Sequence, residues 1–221
     1  MGGAPPCMED ATLIVAAVES VGPDTVAIDI ESPADFDAQP GQFVKVTLAT
    51  ADGEESRFYT VSSPDVEDTF EITVEIDPEG ELGPVLAELE AGDELLVSGP
   101  FGSDFYEGED PVVVLAGGPG VGPAVAIAER ALDDGHDAVV VYRDDEPVHT
   151  ERIEALRERG ATVAVLADGA SLSAAVESAV DRHGADSQFF VYGFADFIDA
   201  ATTAIESSGG DTSTAKIENF G

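Results

Sequence analysis

One stretch in the first half of the chain combines a cation, an aromatic ring and hydroxyl groups. It reads Arg57-Phe58-Tyr59-Thr60-Val61-Ser62-Ser63. The alternation is typical of a strand, with Phe58 and Thr60 on one face and Arg57 and Tyr59 on the other. The guanidinium fork of Arg57 suits a phosphate, the Tyr59 ring suits a flat heterocycle, and the hydroxyls suit ring heteroatoms. An ordinary strand with one exposed arginine is the alternative.

A second candidate is the glycine-rich turn at residues 117–123, which reads G-G-P-G-V-G-P. It lies between the apolar run Val112 to Ala116 and an apolar segment, Ala124 to Leu132, that we predict to be a helix. Such a turn brings a pyrophosphate to a helix N-terminus. The spacing departs from G-x-G-x-x-G, and Pro119 removes one amide donor. A turn that serves only packing is the alternative.

The elements of the first half predict a small antiparallel β-barrel. Short Val- and Ile-rich strands are separated by turn residues, and one short helix carries Pro84 near its start. Residues 1–10 are expected to be a loose tail and 51–54 a hairpin turn, and the strand 42–49 is expected to alternate with Phe43, Val46 and Leu48 as its apolar positions. The predicted strands are 12–21, 25–31, 42–49, 57–62, 70–76 and 93–98, and the predicted helix is 83–89.

The second half alternates strand and helix, which predicts a doubly wound parallel sheet. The period changes after the Gly- and acid-rich stretch at 107–111, so we place the domain boundary near 104–111. The first strand is apolar throughout, as in a strand buried on both faces. The predicted strands are 112–116, 138–142, 163–166, 189–192 and 215–217, and the predicted helices are 124–132, 149–159, 172–183 and 197–207.

The composition describes a globular and very acidic chain. The 221 residues are 43% hydrophobic, and 46 acids against 9 bases give a formal charge of −37. This charge repels nucleic acids and anionic membranes, so neither is an expected partner. The acids are scattered along the sequence, which favours adaptation to high salt over a dedicated cationic partner.

Other classes of site are not predicted. The single cysteine, Cys7, excludes an intramolecular disulfide and a Cys-ligated cluster within this sequence. His136, His149 and His183 follow no ligand pattern, so we expect no metal site and interpret them as solvent-exposed. No apolar run reaches about 18 residues and no signal peptide is evident, so we expect no membrane span and a cytoplasmic location.

Five motifs together resemble the ferredoxin–NADP reductase family of flavoenzymes, from about residue 10 onward. Each is weak alone, but all five occur in the family's order. They are Pro40-Gly41-Gln42-Phe43 (P-G-Q-F), residues 57–63 (R-x-Y-[ST]-x-x-S), Gly99-Pro100-Phe101-Gly102 (G-P-x-G), residues 116–123 (A-G-G-x-G-x-x-P) and Glu218-Asn219-Phe220 (E-x-F).

The resemblance implies FAD in a six-stranded Greek-key barrel domain, residues 10–103, and NAD(P)H in an α/β domain, residues 111–221. By analogy Arg57 holds the FAD phosphates, Tyr59 stacks on the isoalloxazine, and Thr60 bonds near the reactive flavin nitrogen. The remaining implied FAD residues are Phe58, Val61, Ser62, Glu75, Ile76, Gly80, Leu82, Gly83, Pro84, Val85 and Phe220.

The nucleotide residues implied by the resemblance are Gly117, Gly118, Pro119, Gly120, Val121, Arg143, Asp144, Tyr192, Gly193 and Phe194. The implied catalytic residues are Tyr59, Thr60, Glu218 and Phe220. Several positions depart from the pattern. Tyr192-Gly193-Phe194 replaces Cys-Gly-Pro, so a thiol beside the nicotinamide is missing. Pro119, Glu75 and Pro84 stand where Thr, a base and Ser are common.

The implied function is an NAD(P)H oxidoreductase that passes electrons to a separate carrier, such as ferredoxin, flavodoxin or an oxygenase component. A non-catalytic flavin or nucleotide module is the alternative, because the 192–194 and 119 positions differ from the pattern. For Phe220 two roles stay open. Its ring either shields the flavin where the nicotinamide approaches, or packs against the barrel and only fixes the end of the chain.

The charge makes a prediction about salt. The excess negative charges repel one another in the compact state, and added ions screen that repulsion. We therefore expect the melting temperature to rise between low salt and molar KCl, as followed by circular dichroism. A melting temperature that is flat or falls over this range would refute the high-salt interpretation.

Overall fold

The computed structural model describes residues 8–50 and 53–221. The chain divides between Phe105 and Tyr106 into two compact units. Within the described ranges, no helix is both long and apolar enough to cross a membrane.

The first unit is a curled antiparallel sheet in the order β4-β3-β6-β1-β2-β5. A bridge between Val61 and Ile72 joins the end of β4 to β5. With this closure β6, β3, β4 and β5 follow one another as a Greek key, which confirms the predicted fold. The elements are β1 (Met8–Gly22), β2 (Thr25–Glu31), β3 (Phe43–Thr50), β4 (Gly53–Thr60), β5 (Thr69–Glu75), α1 (Gly83–Ala87) and β6 (Glu94–Phe101).

The core of this unit comes from the inward positions of these strands. Ile28, Ile30, Phe70 and Ile72 are fully buried, and the ring of Phe36 lies 4.8 Å from that of Phe70. β-branched and aromatic side chains pack well on a pleated surface. The alternation that predicted the strands is therefore the alternation that fills the barrel.

Two expectations about the first unit are wrong, and part of a third concerns residues outside the described ranges. Residues 8–10 belong to β1 and are not a tail, because this strand pairs with β6 from Met8. Phe43 faces outward, since the buried residues of β3 are Val44, Val46 and Leu48. Thr50 pairs with Gly53 across the hairpin, whereas residues 51 and 52 of the predicted turn lie outside the described residues.

The second unit is a five-stranded parallel sheet in the order β11-β10-β7-β8-β9. All six residues of β7 are buried. Val113 and Leu115 pack with α4 and α5, and α2 contacts β7 and β8. The elements are β7 (Val112–Gly117), α2 (Val121–Asp133), β8 (Ala138–Arg143), α3 (Thr150–Glu158), β9 (Thr162–Leu166), α4 (Ser173–His183), β10 (Gln188–Gly193), α5 (Ala195–Ser207) and β11 (Lys216–Asn219).

The predicted doubly wound sheet is thus confirmed, with shifted ends. α2 begins at Val121, directly after a 3-10 turn at Gly118–Gly120, and not at Ala124. β11 runs to Asn219 because it pairs with β10 as far as Gly193. A propensity pattern cannot show this extension, since the partner strand determines it.

The prediction that the histidines are solvent-exposed is wrong for His149 and for His183. The His183 side chain is only 9% exposed. The exposed fraction of His149 is only 4%, and this residue precedes α3 in a left-handed conformation with φ 53°. Burial, reinforced by the charge of Arg152, lowers the pKa of His149 to about 3. His136 accepts or donates a hydrogen bond with Tyr106 Oη at 2.8 Å. Within the described ranges no group of His, Cys, Asp and Glu side chains is arranged to hold a metal ion.

Candidate flavin and nucleotide sites

Arg57 is one of two basic residues in the first unit, together with Lys45. Lys45 pairs with Asp10 at 3.2 Å. The Arg57 guanidinium donates to the Glu55 carboxylate at 3.1 Å and to the Ser56 carbonyl at 2.8 Å. An exposed pair of this kind contributes at most about 1 kcal/mol. Arg57 can therefore turn to an incoming phosphate at little cost.

Tyr59 lies on the same strand and packs against the barrel core. Burial raises the pKa of Tyr59 to about 12, against the opposing effect of the Arg57 charge. The phenol is therefore neutral at physiological pH and keeps its proton as a hydrogen-bond donor. A neutral, partly buried ring beside a cation fits the predicted contact with a flat heterocycle and a phosphate.

The serine hydroxyls that follow take part in closing the barrel. Thr73 Oγ1 donates to Ser62 Oγ at 3.0 Å, and Ser62 is fully buried. The Glu71 amide donates to Ser63 Oγ at 2.5 Å, and the Ser62 amide donates to the Glu71 carbonyl at 2.8 Å. These bonds tie the end of β4 to β5. Closing the barrel turns the Ser62 hydroxyl inward, and a contact of Ser62 with a ligand stays a prediction. Thr60 and Val61 are also buried.

Three of the sequence motifs meet on the outer face of the barrel. Phe58, 62% exposed, packs edge-on to Phe43 and Phe101, with ring centroids at 5.5 and 6.3 Å. Gln42 Nε2 donates to the Gly102 carbonyl at 3.2 Å. One aromatic surface thus joins the P-G-Q-F, R-x-Y-[ST]-x-x-S and G-P-x-G motifs. Its exposed member, Phe58, lies between Arg57 and Tyr59 in the sequence.

The first turn of α1 supports the prediction of a phosphate site. Its N-cap, Leu82, makes no side-chain capping bond, and the turn contains no acidic residue. Backbone amides at a helix start attract anions. A Cβ on Gly83 would lie 1.7 Å from the Asp77 carbonyl oxygen, so this glycine is required by packing.

The other predicted FAD positions surround this turn. Glu75 ends β5 and is exposed, the Ile76 amide donates to the Asp24 carbonyl at 2.6 Å, and the Gly80 amide donates to the Asp77 carbonyl at 3.1 Å. Leu82 is buried and packs in the core, while Pro84 at the helix start has no amide to offer. Partly buried Val85 packs on the same core. The residues present therefore fit a phosphate-bearing, planar cofactor such as FAD.

In the second unit the glycine-rich turn packs directly on its neighbours. A Cβ on Gly117 would lie 2.6 Å from the Phe197 ring, and one on Gly120 would lie 2.3 Å from the Tyr192 carbonyl oxygen. Gly118 differs, because its φ is +54° and a Cβ there would meet nothing within 4 Å. Gly117 and Gly120 are thus required by packing, whereas the space beside Gly118 is open.

This turn lies at the point where the strand order reverses. β7 has β8 on one side and β10 on the other, and ligands of such sheets bind outside the carboxyl ends at this crevice. The Arg143 guanidinium lies 4.9 Å from the Phe197 ring centroid. The Asp144 carboxylate accepts from Tyr142 Oη at 3.0 Å and from the Glu146 amide at 2.9 Å.

Three further predicted nucleotide residues lie in the turn or next to it. Val121 and Tyr192 are buried, with exposed fractions of 0% and 1%. The Tyr192 carbonyl lies next to Gly120, and a contact of Tyr192 with a ligand stays a prediction. Half-buried Pro119 sits within the 3-10 turn.

Gly193, Phe194 and Phe220 come together at the carboxyl ends of β10 and β11. The Phe220 amide donates to the Gly193 carbonyl at 3.1 Å, and the Phe194 and Phe220 rings are edge-to-face with centroids at 6.2 Å. Glu218 pairs with Tyr192 between the strands. The sequence predictions overlooked Phe197, which fills the space beside both Gly117 and Gly193. An aromatic four residues beyond a strand-ending glycine was the available signal.

Comparison with known proteins shows which family model and which folds the chain resembles. Residues 12–106 match the family model of the oxidoreductase FAD-binding domain. The chain superimposes with a TM-score of 0.83 on the flavohem-like FAD/NAD-binding domain of nitric oxide dioxygenase from Vibrio cholerae, at 21% identity, covering 96% of this chain and 100% of that one. A ferredoxin NADP+ reductase from Neisseria gonorrhoeae with bound FAD and NADP gives 0.77, at 18% identity, covering 96% and 99%.

A curated relative is the reductase component of propane 2-monooxygenase from Gordonia sp. (strain TY-5). It is 28% identical over 140 residues, which are 61% of this chain and 40% of the relative. The chain thus spans less than half the length of this relative. Residues 12–106 are thus similar to the oxidoreductase FAD-binding domain family, and the fold of the chain is that of ferredoxin–NADP reductase-like proteins.

The packing of the turn makes a prediction about stability. Gly120→Ala forces a Cβ against the Tyr192 carbonyl and should destabilise the fold by about 1–3 kcal/mol. Gly118→Asn is the matched control, because space is open there and asparagine tolerates positive φ. Chemical denaturation should show a large loss only for Gly120→Ala. Equal losses for both variants would contradict the packing role.

Proposed function

We propose that this chain is an FAD-dependent NAD(P)H oxidoreductase unit. It transfers hydride between a nicotinamide nucleotide and the flavin, and it exchanges electrons with a separate carrier. The observation that carries this proposal is the presence of two sites in one chain. An FAD-binding domain family match covers the barrel, and a parallel sheet follows with an open glycine turn at its switch point.

The roles follow the two units. We assign residues 10–103 to the flavin and residues 111–221 to the nucleotide. Arg57 and the first-turn amides of α1 hold the phosphates of FAD, while Tyr59 and Thr60 position its ring. When bound, FAD supplies the exchange between hydride and single electrons. The protein binds, orients and excludes water.

A partner protein is part of this proposal. The propane 2-monooxygenase relative is a reductase component, which supports an oxygenase component, ferredoxin or flavodoxin as the electron carrier for this chain. We also propose that the acidic surface is an adaptation to high salt and that the chain works in the cytoplasm.

A non-catalytic flavin or nucleotide module is the second candidate, and one observation favours it. The segment Tyr192-Gly193-Phe194 offers no thiol at the nucleotide crevice, and Tyr192 is buried. Such a module binds the same ligands without transferring hydride.

The identity of the bound flavin is one prediction of this proposal. We expect the purified protein to carry FAD, because Arg57 and the α1 amides offer more phosphate binding than one phosphate needs. Mass analysis of the released flavin checks this, and stoichiometric FMN would contradict it.

Anaerobic reduction separates the enzyme from the non-catalytic module. Adding NADH or NADPH without oxygen should bleach the flavin absorbance. Bound FAD that stays oxidised would instead support the module.

The coenzyme choice is a further prediction. The Asp144 carboxylate at the end of β8 can bond ribose hydroxyls but repels a 2′-phosphate, while Arg143 is engaged with Phe197. We expect a higher kcat/KM for flavin reduction with NADH than with NADPH. Asp144→Asn should reduce the ratio of kcat/KM with NADH to kcat/KM with NADPH. The matched control is Glu146→Gln, which removes the charge of an exposed neighbouring carboxylate. A higher kcat/KM with NADPH in the parent would overturn the assignment.

A further inference from the structure

The edge of the parallel sheet at β9 is uncharged in a very acidic chain. β9 is the last strand in the order β11-β10-β7-β8-β9, so β8 is its only hydrogen-bonded neighbour within the described ranges. Residues 161–167 read A-T-V-A-V-L-A and carry no charge, although the sequence contains 46 acids. Residues 163–166 are all partly exposed. An uncovered apolar edge strand is a template for the pairing of another strand.

The backbone direction of β9 shows which of its groups face outward. The Leu166 carbonyl accepts from the Asp144 amide at 2.9 Å, so Leu166 points toward β8. Because the amide and carbonyl of one residue share a side and the sides alternate along a strand, Val163 and Val165 point to the open edge. The Arg157 guanidinium lies 3.5 Å from the Val163 carbonyl oxygen, which agrees with this assignment. Both valines thus present their amides and carbonyls at the edge.

These groups match a second copy of the same strand. If two β9 strands run antiparallel about a twofold axis at Ala164, Val163 of each copy lies opposite Val165 of the other. Both residues face the neighbouring strand, so each pair exchanges two N–H···O bonds, and no outward group of the valines is left over. The β-branched side chains lie side by side in these pairs, which is favourable in a sheet. The strand is therefore complementary to itself.

The same register supplies a carboxylate for Arg182. This arginine, in the last turn of α4, donates to Thr162 Oγ1 at 3.4 Å, and within the described ranges it forms no ion pair with a carboxylate. The twofold axis places the exposed Asp168 of the second copy opposite Gly160, two residues from Thr162. A cation at a helix C-terminus is favourable in the monomer as well, so the ion pair is an addition that the second copy brings.

We propose that the β9 edge is a self-association surface, through which two chains form a twofold dimer whose five-stranded sheets join into one. This inference does not depend on the proposed function, since none of the residues assigned to the flavin or the nucleotide takes part in it. Two chains of charge −37 repel each other. The dimer should therefore form in molar KCl, where the Debye length is about 3 Å, and dissociate at low salt.

Sedimentation equilibrium of the full chain in molar KCl tests this surface. The parent should show a monomer–dimer equilibrium, and lowering the KCl should shift it to monomer. Val165→Pro should be monomeric, because it removes an outward amide and leaves the bonds to β8 intact. Arg182→Gln should weaken the dimer about 2- to 30-fold, the size of two exposed ion pairs. The matched control is Arg157→Gln, which removes the same charge but should not weaken the dimer, because it frees the Val163 carbonyl.

A charge swap identifies the occupant as a second copy. Asp168→Arg should weaken the dimer at least as much as Arg182→Gln does, and the double variant R182D/D168R should restore it. Unchanged melting temperatures verify that the variants fold, and should Val165→Pro melt earlier, the comparison of Arg182→Gln with Arg157→Gln decides alone.

Three results would overturn the proposal. The first is a parent that stays monomeric at every salt concentration, which would mean that the edge accepts no second copy. The second is a dimer that a stably folded Val165→Pro leaves intact, which would place the contact elsewhere. The third is an equal effect of Arg182→Gln and Arg157→Gln, which would show that the register is wrong.

Discussion

The nucleotide unit depends on a close backbone approach at the carboxyl end of its central strand. The turn after β7 lies so near β10 and α5 that a methyl group fits at neither Gly117 nor Gly120. This contact fixes where α2 begins and therefore where its first amides point. It also leaves Gly118 as the open part of the turn. The same packing that stabilises the sheet thus shapes the end of the crevice that we propose as the anion site.

In the barrel, hydrogen bonds rather than a close backbone approach fix the strand that carries the candidate site. The Ser62 amide and the hydroxyls of Ser62 and Ser63 join the end of β4 to β5. Because these groups close the barrel, the strand that carries Arg57, Phe58 and Tyr59 is fixed in place. The closure does not use the side chains of these three residues. A site on a rigid strand positions its ligand more precisely than one on a loop.

Local patterns predicted most of the fold, and tertiary contacts decided the rest. Alternation indicated the strands of the barrel, and the apolar run at 112–116 indicated a strand covered on both faces. Phe43 was misplaced because an aromatic residue suits either face, and its partners Phe58 and Phe101 come from other strands. The burial of His149 likewise depends on how α3 packs against the sheet, which spacing alone does not show.

The charge of the chain limits how it can hold anionic nucleotides. A net charge of −37 repels them, and the first unit carries only Lys45 and Arg57 as bases. At molar salt the Debye length is about 3 Å, so distant acids are screened and only groups in contact with the ligand act on it. Amides of helix turns, the Arg57 fork and aromatic faces all work at contact distance. A very acidic surface and nucleotide binding are therefore compatible in high salt, because contact recognition survives the screening that removes long-range repulsion.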